Sequence, residues 1–219
     1  MRITKINPRY EHWRSFIGSV PDIFEQEGKE IYNKRNLIKV LTAPDGTAVN
    51  VKRYHVPHGP NRLVYSWGIR KPKCQRAFDY PMILKNKGIE TPEPIAIIEE
   101  RSWLGLLGYS YLITMQCDYG HTLYEVGDAK AGTYETLAKA LAHFAAKIHN
   151  GNVLHKDFTP GNVLWKQDDE GFHFSLVDIN RMHFGQVSAK QGLYNLRKFW
   201  GPKEFIRIMV TEYALLRNL

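Results

Sequence analysis

The spacing of apolar residues changes character along the chain. Near the N terminus, Tyr10, Trp13, Phe16 and Ile17 fall at helix-like intervals and predict a short helix packed on a core. From Ile31 the pattern turns to strands. Leu37–Leu41 is one, Ala43–Thr47 carries a turn signal, and Ala48–Tyr54 alternates as the next, which predicts an antiparallel hairpin ending near Pro57. Lys73–Lys87 reads as a helix stopped by Gly88, with Pro81 either kinking it or marking its first turn. Thr91-Pro92-Glu93-Pro94 is a stiff extended link. Ile95–Glu100 and Tyr109–Met115 are two further strands about a Gly105–Gly108 turn.

Beyond Cys117 helix dominates. Leu137, Leu141, Phe144, Ala145 and Ile148 mark one face of an amphipathic helix over Thr133–Asn150, closed by Asn150-Gly151. Short strands at Val153-Leu154, Val163-Leu164 and Phe174–Val177 follow, then a helical tail from Leu193 to Leu219. The expected fold class is α+β and bilobal. Residues 1–117 form an N-terminal extension plus a strand-rich lobe, residues 118–219 form a helix-rich lobe, and a hinge lies near Gln116–Tyr119.

Composition narrows the class. At 219 residues and 43% hydrophobic content the chain can bury a real core, and 12% aromatic content argues against disorder. Cys74 and Cys117 lack metal-ligand spacing and read as reduced thiols of a cytosolic protein. Met1–Tyr10 is polar and broken by Pro8, unlike a secretory signal. The most apolar stretch, Trp103–Met115, is far short of the roughly 20 residues that span a bilayer. A cytoplasmic protein, soluble or peripheral on a membrane, is expected. The net charge of +8 points to an anionic partner: nucleic acid, an acidic glycan or an anionic membrane face. No nucleic-acid motif accompanies the scattered basic residues, so a nucleic-acid partner is not expected.

The chemistry concentrates between His155 and Asp178. His155-Lys156-Asp157-Phe158-Thr159-Pro160-Gly161-Asn162 reads H-x-D-x-x-x-x-N, and Leu176-Val177-Asp178 follows as an apolar pair ending in a carboxylate. Phosphoryl transfer from ATP needs one carboxylate to accept the proton of the attacking hydroxyl. A second carboxylate and an amide oxygen must hold Mg²⁺ on the phosphates. Asp157, Asp178 and Asn162 supply these groups in the order used by kinase folds, with ATP expected in the cleft between the lobes. His155 reads as structural, its imidazole bonding nearby backbone to fix the loop. Lys52, on the Ala48–Tyr54 strand, can reach phosphates as a point charge. Asp79 either pairs with Lys52 or caps a helix beginning at Pro81. A G-x-G-x-x-G loop is missing, and Lys34 and Arg35 either contact phosphate by charge or form a solvated turn.

Together with Ile31-Tyr32-Asn33-Lys34-Arg35-Asn36, Arg76-Ala77-Phe78-Asp79, Gly88-Ile89-Glu90-Thr91-Pro92-Glu93-Pro94 and Val177-Asp178-Ile179-Asn180-Arg181-Met182, these positions resemble the lipopolysaccharide kinase (Kdo/heptose kinase) family, from about Ile31 to Leu196. The resemblance implies a protein-kinase-like fold, with Asp157 as base, Asn162 and Asp178 on Mg²⁺, and Lys52 on the phosphates. It also implies a sugar hydroxyl of lipopolysaccharide inner core, or a related envelope glycan, as acceptor. Such an acceptor is acidic and membrane-bound, which fits the positive charge and a peripheral contact with an anionic inner-membrane face. Lys156 stands where protein kinases place arginine and Thr159 where many place lysine. Asp178-Ile179-Asn180 replaces D-F-G, and no A-P-E follows. A small atypical, RIO-like protein kinase or ATPase is the enzymatic alternative. A catalytically inactive kinase-like scaffold is disfavoured because all three metal and base positions are filled.

Overall fold

In a computed structural model the described residues are 1–34, 36–130 and 132–219. They divide into two compact units, residues 1–82 with 92–117, and residues 83–91 with 118–219. The segment 83–91, counted with the first part on sequence grounds, therefore packs in the second.

In the first unit, β1 (Arg2–Ile6) and a 3-10 stretch lead into α1 (Arg14–Ile23), followed by β2 (Lys29–Asn33), β3 (Leu37–Thr42), β4 (Ala48–Tyr54), α2 (Pro60–Ser66), α3 (Lys73–Lys85), β5 (Pro94–Arg101) and β6 (Leu107–Met115). The strands make one antiparallel six-stranded sheet in the order β1-β5-β6-β4-β3-β2. Period-two alternation splits its apolar residues between two clusters. Val49, Val51, Ile98, Tyr111 and Ile113 pack with Trp13, Ile17, Val20 and Phe24 of the α1 region. Tyr54, Ile97 and Leu112 pack with Cys74, Ala77 and Phe78 of α3.

The N-terminal helix is thus present, whereas β1 and β2 were absent from the expected elements. Both are edge strands whose side chains are largely exposed, so neither has a hydrophobic stripe to betray it. Lys39 interrupts the apolar pattern of β3 yet is only 7% exposed. Its ammonium donates to Glu25 O at 3.0 Å and Glu27 O at 3.2 Å, satisfying carbonyls just beyond α1. Pro81 lies inside a helix that begins at Lys73, so it does not mark a first turn.

The second unit holds β7 (His121–Thr122), α4 (Glu135–Asn150), β8 (Val153–His155), β9 (Val163–Asp168), β10 (Gly171–Leu176), β11 (Met182–Phe184), α5 (Ala189–Leu196) and α6 (Lys203–Leu216). Strands β10-β9-β7 form one small sheet and β11-β8 another. The residues of α4 that face inward include Leu137, Leu141, Ala145 and Ile148, as its periodicity predicts. The expected single tail is two helices, because Gly201-Pro202 interrupts the ladder between α5 and α6.

Candidate active site

The loop between β8 and β9 carries Asp157 and Asn162, and the end of β10 carries Asp178. Two backbone registers bring these segments together. β11 pairs with β8, setting Met182 opposite His155, and Lys156 N donates to Arg181 O at 2.9 Å. Val177 N donates to Asn162 O at 3.1 Å, which makes the residue before Asp178 a hydrogen-bonded neighbour of Asn162. The sequence-predicted triad of Asp157, Asn162 and Asp178 thus shares one continuous hydrogen-bonded loop system. Asn162 Nδ2 donates to Asp157 O at 2.8 Å, which folds the loop back on itself and leaves Oδ1 as the amide's acceptor atom.

His155 is buried and acts as a clamp. Its Nδ1 accepts from Asp157 N at 3.0 Å, so the proton resides on Nε2, 3.1 Å from Val177 O. One imidazole thereby ties the Asp157 backbone to the residue preceding Asp178. Burial pushes its pKa down, against the opposing pull of the Val177 carbonyl. A neutral ring with one donor and one acceptor is what this position uses.

Asp178 has φ +53° and ψ +41°, a left-handed conformation that Asp tolerates through local hydrogen bonding. Its Oδ1 accepts from Asn180 Nδ2 at 2.5 Å. Asn180 is 4% exposed, and its Oδ1 has no hydrogen-bond partner among the described residues. The Asp178 carboxylate and the Asn162 amide oxygen are hard oxygen donors of the kind that suit Mg²⁺ with phosphate and water as further ligands. No group of three or more His, Cys, Asp or Glu side chains that could hold a metal occurs among the described residues. The candidate metal position relies instead on one carboxylate and one amide oxygen.

Two cations that no motif of the chain places there flank the Asp157 carboxylate. Arg181 Nη1 lies 2.8 Å from Oδ2, and Lys198 Nζ lies 3.4 Å from Oδ1 while also bonding Lys156 O. Thr159 lacks the charge that many kinases carry in the loop, and Lys198 brings one to the same carboxylate from beyond α5. A second layer holds the loop from behind. Tyr213 and His149 Nδ1 are 2.7 Å apart, His149 Nε2 and Asn195 Oδ1 3.2 Å, and Asn195 Nδ2 donates to His155 O at 3.1 Å. With His149 neutral, every proton in this series points toward the loop. Burial lowers the His149 pKa to about 4, which keeps it neutral.

A cavity of about 410 Å³ is lined by Lys156, Lys190, Lys198, Ser188, Gln191 and Tyr194 among others; Asp157 is not one of its lining residues, but Lys156 and Lys198 adjoin it.

In the first unit, Lys52 sits on β4 between Ile38 of β3 and Leu112 of β6, with Nζ 5.2 Å from the Tyr54 ring centroid. Asp79 is mid-helix in α3 and caps nothing at Pro81. Its two oxygens receive Lys5 Nζ at 2.8 Å and Lys71 Nζ at 2.7 Å, so these cations take the place expected for Lys52. Burial alone would raise the Asp79 pKa, but the two ammonium groups outweigh it and hold the carboxyl below its ordinary range. Lys5 belongs to β1, the strand the sequence did not reveal. Lys34 is exposed in the turn after β2, and Arg35 lies outside the described residues. A groove of about 700 Å³ is lined by Gly28, Lys29, Ile31, Leu41, Thr42 and Gln116 among others. Gly28, at φ +84°, lets the chain enter β2 where a Cβ would stand 2.8 Å from Val40 O.

Comparison with known proteins agrees with this geometry. No curated protein matches the chain by sequence. Among solved structures, WaaP in complex with acyl carrier protein aligns with a TM-score of 0.58 at 15% identity, covering 99% of this chain and 91% of that one. The Rio2 kinase–ADP/Mg²⁺–phosphoaspartate complex from Chaetomium thermophilum aligns at 0.54 and 13% identity, covering 95% and 71%. The amicoumacin kinase hAmiN in complex with AMP-PNP, Ca²⁺ and Ami aligns at 0.62 and 11%, covering 96% and 78%. At such identities these likenesses establish a protein-kinase-like fold and no more. The model of the lipopolysaccharide kinase (Kdo/WaaP) family matches residues 27–204, well over half of the chain. The chain therefore belongs to the lipopolysaccharide kinase (Kdo/WaaP) family and is a phosphotransferase of protein-kinase-like fold.

Proposed function

We propose that this protein is an ATP- and Mg²⁺-dependent kinase that phosphorylates a sugar hydroxyl of lipopolysaccharide inner core or of a related acidic envelope glycan. The observation that carries the reading is the hydrogen-bonded loop system joining Asp157, Asn162 and the Val177–Asp178 turn, found in a chain of this family. Asp157 accepts the proton of the attacking hydroxyl, and Arg181 and Lys198 orient its carboxylate. Asn162 Oδ1 and Asp178 hold Mg²⁺, which when bound neutralises charge on the phosphates. Lys52 contacts phosphate as a point charge, with Lys34 a second contact. Asp79, bracketed by Lys5 and Lys71, has no part in this assignment.

The cavity of about 410 Å³ suits the acceptor. Lys156, Lys190 and Lys198 stand among its lining residues, and Tyr194 contributes to a wall that is mostly apolar, as the face of a sugar ring requires. The reaction would take place at a cytoplasmic membrane face, where such a glycolipid is met. No helix among the described residues is long and apolar enough to cross a membrane, so contact with that face would be peripheral.

Transfer of label from ATP to purified inner-core glycolipids, set against protein acceptors, tests the proposal. Asp157→Ala should lower transfer by about 10²–10⁴ while nucleotide binding persists. Failure to bind nucleotide in the presence of Mg²⁺, or full activity in Asp157→Ala, would sink the assignment.

A further inference from the structure

Residues 55–78 contain no acidic side chain but carry Arg62, Arg70, Lys71, Lys73 and Arg76. Within this stretch the turn after α2 leaves Trp67 68% and Ile69 71% exposed, and the tip of the β5–β6 hairpin leaves Trp103 90% and Leu104 63% exposed. These two segments are clamped side by side. Arg101 Nη1 donates both to Ser66 O at 3.2 Å and to Gly105 O at 3.0 Å. Leu107 N donates to Ser66 Oγ, and Arg62 Nε to Leu107 O, each at 2.8 Å. The hairpin tip is itself ordered: Gly105 N bonds Ser102 O, and Leu106 N bonds Ser102 Oγ at 3.1 Å.

Single exposed apolar residues are ordinary, but four large ones on adjacent, fixed loops are not. Tryptophan favours the membrane–water interface, and exposed cations favour anionic headgroups. Arg70 and Lys73 are exposed next to the apolar cluster. The nearby carboxylates are already neutralised, Glu99 by Arg101 at 2.7 Å and Asp79 by Lys5 and Lys71. A projecting tip, unlike a groove, suits a deformable bilayer.

We propose that Trp67, Ile69, Trp103 and Leu104 form a membrane dock that enters the headgroup region of an anionic bilayer, with Arg70 and Lys73 on lipid phosphates. The inference rests on the proposed function only for its purpose, which is to hold the enzyme against a bilayer that carries the acceptor.

Sedimentation with phosphatidylcholine vesicles, with and without phosphatidylglycerol, tests it without nucleotide or acceptor. The full chain should bind the anionic vesicles, and brominated acyl chains should quench its tryptophan emission. Trp103→Ser should weaken binding about tenfold. Arg70→Gln with Lys73→Gln should weaken it about 30-fold on anionic vesicles. Circular dichroism confirms that these surface variants fold. No vesicle binding, binding indifferent to both sets of variants, or salt-sensitive binding without quenching would overturn the dock; the last would instead mark a face for an acidic soluble protein. In the variants, transfer to a vesicle-borne acceptor should fall while transfer to its deacylated, soluble form persists. A wild-type protein that binds vesicles but transfers to neither acceptor would defeat the kinase reading and leave the dock standing.

Discussion

Gly192 lies in α5 at a point where helix propensity and packing make opposite demands. Alanine is favoured over glycine in a helix by about 1 kcal/mol, so Gly192→Ala would stabilise an isolated α5. In the folded chain a Cβ there would stand 1.9 Å from the Tyr213 hydroxyl oxygen and 2.8 Å from His149 Nδ1. Tyr213 is fully buried in α6 and has no room to retreat. Overpacking of this kind costs about 1–3 kcal/mol, and breaking the Tyr213–His149 hydrogen bond adds about 1 kcal/mol. After subtraction of the helix gain, Gly192→Ala should be destabilising by about 1–3 kcal/mol. For a chain of this size that lowers Tm by roughly 2–12 °C. Urea unfolding followed by circular dichroism and by fluorescence measures the loss, and agreement of the two probes checks that one transition is being read. Gly192→Ala combined with Tyr213→Phe removes the clashing oxygen and should recover part of it. A Gly192→Ala protein as stable as wild type, or more so, would refute the packing argument. Because the bond series ends on His155 O, the single variant should also lose turnover.

Further outcomes follow from the same geometry. Burial holds His149 near 4 and His155 below its ordinary value, so below the unfolded value of roughly 6.5 the unfolded chain takes up protons that the native one refuses. Stability should be level above that pH and fall as the pH drops toward 4, with His149 alone contributing about 3 kcal/mol to the loss. Urea titrations across this range should show a shallower slope in His149→Gln, and an identical slope would remove His149 from the account. Asp178→Ala should cost about 1 kcal/mol of stability from its left-handed backbone, whereas Asp178→Asn should keep the fold and lose Mg²⁺-dependent transfer. Equal stability losses in the two variants would show that the conformation is not what strains the alanine form. Arg181→Ala should lower kcat with little change in KM for ATP, and Arg181→Lys should restore part of it; a change confined to KM would contradict an orienting role.

The proposed catalytic loop was legible because its motif and its fold are both local. Asp157 and Asn162 are separated by one short loop, and Val177-Asp178 ends a strand whose apolar run marks it plainly. The interior strands and α4 were legible for a related reason: each buries one face, so periodicity records it. Edge strands bury almost nothing, and β1 and β2 left no such record. The partners of Asp79, left open between Lys52 and a helix cap, follow from the same cause, since Lys5 reaches it only because β1 adds to the sheet beside β5. Lys39 was hidden differently, as a charge buried by the carbonyls just beyond α1 that it serves.

By itself, then, the sequence determined the α+β class, the strand-to-helix change near Cys117, the kinase-like motif on which the proposed base and metal positions rest, and the clamp role of His155. Only the tertiary structure decided which cations guard Asp157, how Tyr213, His149 and Asn195 brace the loop, and where Asp79 finds its charge partners. Arg181 and Lys198 lie 24 and 41 residues from Asp157 in sequence. No periodicity or short motif encodes a contact over such separations, because it forms only after strand pairing and helix packing have fixed both backbones in place.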